Sequence, residues 1–399
     1  MSAGTPIQEM LSGLAQRRFG CEPSAIEAIA PGLGRRRFFR LRFEGGADVP
    51  ASVIARVEAE DDPALRAPGA TAEPPLEPLL GFLAGHGISV PTRYASDPER
   101  GIDLLEDAGP LSLEDAAATL APEARRALYA EACDWIPRLQ YLHARPEEIP
   151  AFGRRLDAAL FESKAQRVLD WALPWSLGRP ASAGEKEAVR EAFALIAEIC
   201  GRAPQRLAHR DYKAANLHLR LDAAPGERLV MIDIQGAFLA PPEYDLVCLL
   251  RDSHVALPEA EVREQLERLR PALPDAPDPD TFEQRFQLLT LSRVAKDYAH
   301  YVHAAGAVHA AGAVHAAGAV HAAGAVHAAG AVHAAGAVRA AGAGDTRYLR
   351  LLPNALRNLQ AAAAIARAWD PALERLGDVL ALLGSEAGRP SPQSESPQP

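Results

Sequence analysis

The stretch AHRDYKAANLHLR, Ala208 to Arg220, sets an acid, Asp211, and an amide, Asn216, five residues apart among apolar and basic neighbours. Its order fits H-R-D-x-x-x-x-N, and seventeen residues beyond Asn216 a second carboxylate, Asp233, lies near the end of the apolar run VMIDIQ. Together these are the parts of a phosphoryl-transfer site. The transferred group is anionic and loosely bonded in the transition state, so a protein that moves it must neutralise charge with Mg²⁺ and orient the attacking hydroxyl. Asp211 is suited to accept the hydroxyl proton, Asn216 to offer a neutral oxygen to one metal ion, and Asp233 to offer a carboxylate between metal and nucleotide phosphates; hard oxygen donors suit Mg²⁺. Each piece alone is commonplace, since an HRD tripeptide arises by chance and an Asn can simply cap a loop. The ordered trio, between strand-like runs and flanked by helical sequence, is far more specific. Lys213 reads either as a donor to the γ-phosphate or as a solvated surface lysine.

The 399 residues carry a formal net charge of −10, which argues against a nucleic-acid or acidic-membrane partner, because phosphate backbones call for clustered basic residues. Cys21, Cys133, Cys200 and Cys248 are scattered without a CxxC pair, so neither a zinc ribbon nor a disulfide framework is expected. A reducing cytoplasm is the expected compartment. At the N-terminus Ile7, Met10, Leu11 and Leu14 follow helical spacing, and the basic-then-apolar order of a leader is missing, so the segment reads as a first helix.

Up to residue 108 the chain reads as a small strand-rich lobe. Arg36 to Glu44 and Ala51 to Glu60 are β-rich runs joined by GGADVP, a hairpin signal; a helix is expected from about Leu76, and two short strands near Ser89–Asp97 and Gly101–Asp107. From 109 to 385 the pattern is mainly helical. One helix carries Leu128, Trp135, Leu139 and Leu142 and stops before Pro146, a second covers roughly Arg154 to Trp171, a third roughly Gly184 to Cys200, and Arg228 to Gln235 reads as a strand. Trp171 and Trp175 read as core in preference to a sugar-stacking pair. The tail, 386–399, is rich in Pro, Ser and Gln and is expected to be disordered.

Val302 to Ala343 form seven consecutive copies of VHAAGA, the last with Arg339 in place of His. In a helix each six-residue step displaces the next histidine by roughly 120°, so the histidines build no common face, and the i, i+4 spacing that suits a metal is absent. The repeat reads as a low-complexity insertion, helical where Ala dominates, and its composition makes a poor membrane span.

The constellation resembles the aminoglycoside phosphotransferase/choline kinase branch of the protein-kinase-like fold. Within that branch, MIDIQGAFLAPPEYDLVCLLRDSHV, Met231 to Val255, resembles the segment of bacterial cell-wall amino-sugar kinases, the N-acetylmuramate/N-acetylglucosamine anomeric kinases. Their pattern, I/L-D-F-Q-D-A, then G-P, then Y-D-L-V-S-L-L-R-D, is met by Ile232, Asp233, Gln235, Ala237, Pro241 and Tyr244 to Asp252, with Cys248 in place of Ser. GRRRFFRL, Gly34 to Leu41, is similar to the family's nucleotide-covering hairpin, and LLEDAGP, Leu104 to Pro110, to its strand into the hinge. Val294–Ala305 and Gly344–Leu359 resemble the two halves of a late helical hairpin with the repeat inserted between them, remote from the chemistry.

The resemblance implies an α+β, bilobal protein-kinase-like fold, with a small strand-rich N-lobe over 1–108 and a larger, mainly helical C-lobe over 109–385. It implies an ATP- and Mg²⁺-dependent phosphotransferase acting on a small-molecule hydroxyl, foremost the anomeric hydroxyl of an N-acetylated amino sugar. Asp211 and Lys213 take the catalytic positions, Asn216 and Asp233 the metal positions. Gly32 and Gly34 cover the phosphates, and backbone groups around Leu105, Glu106 and Asp107 hold adenine. Arg56 stands where the fold uses a phosphate-binding lysine, and its fork is not equivalent to an ammonium; Glu73 and Glu77 are the candidates for its partner acid. Lys213 stands where the family has His. The resemblance gives Asp245 and Tyr244 a bracing duty under the catalytic loop, and His209 a loop-fixing one. Kinases of an aminoglycoside, choline or homoserine, and a nucleotide-binding scaffold without turnover, stay open as alternatives.

Overall fold

The structure, a computed structural model, describes residues 6–30, 36–44, 46, 48–58, 74–220, 223–317 and 348–383, with backbone only over 306–317. Gly32, Gly34, Glu73, the tail 386–399 and most of the repeat lie outside these residues. The chain forms two compact units, residues 1–115 with 215–235, and residues 116–214 with 236–399.

In the first unit five strands, β1 (Ala25–Ile29), β2 (Arg37–Arg42), β3 (Ser52–Val57), β4 (Arg93–Asp97) and β5 (Ile102–Glu106), form an antiparallel sheet in the order β1-β2-β3-β5-β4. Alternation decides which face is inside: Phe39 and Leu41 of β2 are buried, while Arg40 and Arg42 turn outward to Asp107 and Glu27. The buried residues pack against Leu11, Leu14 and Ala15 of helix α1 (Pro6–Phe19), so the N-terminal segment is a helix as expected. Strand β1 is missing from the sequence reading because its five residues, closed in by Pro23 and Pro31, carry too short a pattern; its register, Ile26 opposite Leu41, comes from β2. Helix α2 (Leu79–Gly85) starts three residues later than expected, with Pro78 at its cap position. The expected strand over Arg228–Gln235 shrinks to β8 (Leu229–Met231), paired with β7 (Leu217–Leu219), because Asp233 has φ 62° and leaves the extended region. This hairpin is tied to the same unit through Leu219 N–H to Leu111 O and Met231 N–H to Ser89 O, each 2.9 Å. Helix α3 (Leu113–Thr119) follows, with Ser112 and Asp115 exchanging bonds at its start.

The second unit is helical: α4 (Pro122–Gln140), α5 (Ala158–Arg167), α6 (Leu173–Leu177), α7 (Ala183–Arg202), α8 (Tyr244–Leu250), α9 (Glu259–Leu269), α10 (Pro279–Ala317), α11 (Leu352–Ala366) and α12 (Pro371–Ala381), with one short pair, β6 (Arg206–Ala208) and β9 (Phe238–Ala240). The helix expected over Arg154–Trp171 starts four residues later because Asp157 caps it, accepting from Leu160 N–H at 2.9 Å. It then loosens into a π turn over Val168–Ala172 and runs on as α6, until Gly178, at φ 64°, turns the chain away. Ser182 and Glu185 form a capping box that starts α7 one residue before the expected Gly184. Trp171 and Trp175 are half-buried, not core, and Trp171 stacks on His303 at 4.1 Å.

Helix α10 continues into the first copies of the repeat, as the alanine content predicts. On either side of the insertion the chain is anchored. Tyr301 and Tyr348 stack at 6.1 Å, and Asn354 of α11 donates to the carbonyls of Asp252 and Ser253, both at 3.1 Å. Just before the repeat, Tyr301 meets the His254 ring edge to face at 6.1 Å, and His254 bonds Asp252.

Two outcomes follow for stability. Glu243 is fully buried against Arg285, which reaches it with two nitrogens at 2.7 and 3.0 Å. Arg285→Ala strands that carboxylate and is expected to cost about 3–5 kcal/mol in a urea titration. Deleting Val308–Ala343 removes none of the anchoring contacts, and loop closure depends only weakly on length, so the melting temperature followed by circular dichroism should stay within about 4 °C.

Candidate active site

The loop that carries Asp211 is shaped by α8. Asp245, at the second residue of that helix, accepts from the backbone N–H groups of His209 at 2.7 Å and Arg210 at 3.2 Å. Arg210 sits at φ 79°, a conformation that a non-glycine residue holds only when its surroundings impose it. They do so from both ends, for its carbonyl accepts from Arg293 of α10 at 3.1 Å and from the Cys248 thiol at 3.5 Å. His209 Nδ1 accepts from Asp211 N–H at 3.3 Å, Tyr212 donates to the Ala132 carbonyl of α4 at 2.8 Å, and Asp252 accepts from Ala214 N–H at 3.1 Å. Asp245 and His209 thus stand in bracing positions, and Tyr244, buried, packs edge to face on Phe238 at 5.3 Å.

Asp211 itself is a third exposed and faces cations. Arg293 donates to its Oδ1 at 2.8 Å, and Lys213 Nζ stands 3.4 Å from its Oδ2. Burial acts to raise its pKa, but Lys213, Arg293 and Lys296 together outweigh burial and hold the carboxyl well below the usual carboxylate range. Lys213 shows the reciprocal effect: burial acts to lower its pKa, and the charges of Asp211 and Asp252 more than reverse it. Lys213 is therefore an ion-pair partner of Asp211 and not a freely solvated side chain. Arg293 is the residue that sequence reasoning missed. It lies 82 positions from Asp211 on a helix whose pattern announces only burial.

In the first unit the β7–β8 pairing sets the second half of the motif. Asn216, buried, closes a 3-10 turn, and its carbonyl accepts from Ile232 N–H at 3.0 Å, so Asn216 and Asp233 come to the same end of one hairpin. Asp233 presents an exposed carboxylate, bonded by the Gln235 amide and with Arg36 Nη1 at 3.7 Å. Arg36 in turn donates to Glu58 at 2.9 Å. An amide oxygen and a carboxylate at one hairpin end form a hard-oxygen donor set of the kind Mg²⁺ takes; among the described residues no cluster of three His, Cys, Asp or Glu competes with it.

Arg56 is 4% exposed and bonds Asp103, its cross-strand partner on β5, at 3.0 Å, as well as Glu58. The expected partner Glu77 is elsewhere engaged, with Arg93 at 3.4 Å and Gly81 N–H at 3.0 Å; register, which sets Arg56 directly opposite Asp103, overrides proximity to the helix start. Leu105 pairs within the sheet. The side chains of Glu106 and Asp107 are held, Glu106 by Arg220 and Thr92 N–H, Asp107 by Arg40, Ser52 and Gly109 N–H.

Comparison with known proteins defines the class and then the family. The fold is that of the protein-kinase-like phosphotransferases. Aminoglycoside 2'-phosphotransferase-IIIa superposes with a TM-score of 0.53 at 16% identity, covering 74% of this chain and 92% of that one. Choline kinase LicA from Streptococcus pneumoniae superposes with a TM-score of 0.51 at 12% identity, covering 90% and 100%. The sequence profile of the phosphotransferase enzyme family matches residues 26–284, and the chain belongs to that family. Among curated relatives, the N-acetylmuramate/N-acetylglucosamine kinases of Pseudomonas aeruginosa and Pseudomonas putida are 30% and 29% identical over 194 and 197 residues. These matches take in 49% and 48% of this chain and 54% of each relative, so the chain spans about half the length of the curated relatives it matches.

Removing one cation from Asp211 is expected to move its titration. Because its folded pKa is lowered, the stability linked to its ionisation is present above the ordinary carboxylate pKa and lost as pH falls through the folded value. A carbon-13 carboxyl titration should find Asp211 ionised throughout about pH 3 to 6, while in Arg293→Met its midpoint rises toward about 4.

Proposed function

We propose that the chain is an ATP- and Mg²⁺-dependent kinase of a small hydroxylated molecule, with the anomeric hydroxyl of an N-acetylated amino sugar as acceptor. The observation that carries this reading is Asp211, kept ionised beside Arg293 and Lys213 on a loop clamped by Asp245, at motif spacing from Asn216 and Asp233. A sugar hydroxyl is a weak nucleophile, and a carboxylate of low pKa is a weak base. Asp211 therefore orients the hydroxyl and takes its proton late, as the new oxygen–phosphorus bond forms and the bond between the γ-phosphorus and the β,γ-bridging oxygen breaks. The products are ADP and the sugar 1-phosphate, and the proton passes on to solvent. Asn216 and Asp233 are the residues that would hold Mg²⁺, which when bound neutralises charge on the phosphates. In the same reading, Gly32 and Gly34 and the backbone around Leu105, Glu106 and Asp107 receive the nucleotide, with Arg56 at the phosphate side in place of lysine.

Arg293, Lys296 and Lys213 around Asp211 are matched by Asp211 itself, Asp252 and Asp297, so the cluster has no anionic excess to draw the ammonium groups of an aminoglycoside or choline. The curated relatives' names point the same way.

The test is Mg²⁺-dependent ADP release with N-acetylmuramate, N-acetylglucosamine, an aminoglycoside, choline and homoserine offered in parallel. Turnover confined to the acetylated sugars is expected. Asp211→Asn should lower kcat about 10³-fold with nucleotide affinity retained, and Asp233→Ala should abolish the Mg²⁺ dependence of nucleotide binding measured by calorimetry. Near-normal turnover in purified Asp211→Asn would sink the assignment, and tight ATP binding without turnover on any acceptor would favour a nucleotide-binding scaffold.

A further inference from the structure

Alternation gives the five-stranded sheet of the first unit two unlike faces. One packs its apolar residues against α1. The other carries a polar ladder at one end: Arg36 just ahead of β2, Arg56 in β3 with Glu58 two residues on, and Asp103 on β5. The β2–β3 register sets Arg37 opposite Val57, so Arg36 falls beside Glu58, and its Nε donates to Glu58 Oε2 at 2.9 Å. Arg56 donates to Oε1 of the same carboxylate and to Asp103 at 3.0 Å. Glu58 is also fixed through its backbone, its N–H donating to the Gly101 carbonyl at 2.8 Å. Gly101 sits at φ 62°, and a Cβ there would lie 3.0 Å from that of Glu58, so this close approach of β3 and β5 suits glycine on both counts.

The ladder ends at Asp233. Arg36 Nη1 stands 3.7 Å from Asp233 Oδ1, an ion pair too long for a hydrogen bond. Side-chain exposure is 15% for Arg36 and 43% for Asp233, so a solute reaches the pair. Arg56 differs: it is buried, and its guanidinium is engaged by two acids. An anion that arrives at Asp233 therefore meets Arg36 before Arg56. A guanidinium pairs with phosphate oxygens through parallel N–H donors. With Nε held by Glu58, that of Arg36 is already ordered, and less conformational freedom is lost when it binds.

We propose that Arg36, held by Glu58, contacts the terminal phosphates of the nucleotide in place of the committed Arg56. The proposal rests on the kinase reading above and deepens it by giving the phosphate contact to a residue outside the H-R-D-x-x-x-x-N motif.

Calorimetry on the full chain tests this by measuring the binding of ATP and of AMP, each with Mg²⁺, in the parent and in Arg36→Met. AMP lacks the terminal phosphates and reports on the rest of the nucleotide site. The ratio of ATP to AMP affinity is expected to fall about tenfold in the variant, through weaker ATP binding with AMP binding retained. An unchanged ratio, whether both affinities hold or both fall together, overturns the assignment of Arg36 and leaves the kinase reading standing. A parent that binds neither nucleotide overturns the kinase reading and the proposal with it. Thermal unfolding is followed alongside. Should Arg36→Met fail to fold, Arg36→Gln, which keeps a donor for Glu58, is read in the same way, a lowered ratio supporting the contact and an unchanged one refuting it.

Discussion

The carboxylate of Asp245 holding the backbone of His209 and Arg210 is the constraint on which the Asp211 loop depends. A residue at φ 79° costs about 1–3 kcal/mol unless its neighbours fix it, and Arg210 would relax if its N–H and carbonyl were released. Relaxation would swing the following peptide and with it Asp211. The clamp is built into a helix in which every residue from Tyr244 to Leu250 is buried, so it cannot shift without disturbing the core. Burial raises the pKa of Asp245, and the two N–H bonds together with His209 act in the opposite direction. The Asp211 loop is thereby anchored by a second carboxylate that stays inside the core.

Arg293 extends the same constraint to electrostatics. One guanidinium donates to the Arg210 carbonyl and to the Asp211 side chain, so that the loop's shape and the acid's ionisation are set by one side chain of α10. A lysine there would supply charge without the planar fork that reaches both acceptors. In the proposed reading, positive charge near Asp211 makes it a poor base in the ground state, which suits phosphoryl transfer, in which the nucleophile keeps its proton until late and positioning matters more than basicity.

How much of this was legible in the sequence follows from what each feature depends on. Asp211, Asn216 and Asp233 stand out as the proposed site because phosphoryl transfer calls for those residue types and the chain supplies them at short spacings. The strands of β2 and β3 could be read because their alternation is a local property. Asp103 as the partner of Arg56 could not, since it follows from the β3–β5 register, and the helix-start glutamates were the nearer guess in sequence. Arg293 was invisible for a related reason: a charged residue inside an amphipathic helix declares nothing until the opposing element is known. The boundaries of β8 and α5 were misjudged because each is cut by one residue's backbone or cap, Asp233 and Asp157.

The run of VHAAGA copies lies between two helices that are each anchored without it. Helices α10 and α11 both contribute to the neighbourhood of Asp252, and the repeat lies between them. Yet neither helix depends on the connection for its position. α10 is fixed by Arg293, well before the repeat begins, and α11 by Asn354 and Asn358, which bond the carbonyls of Asp252, Ser253 and Arg251. The stack of Tyr301 on Tyr348 joins the flanks of the repeat at 6.1 Å. Under that condition the cost of a longer connection grows only with the logarithm of its length, a few tenths of a kcal/mol for each added copy at most. Anchoring on both flanks, more than any property of the repeat itself, is what permits such an expansion in this position.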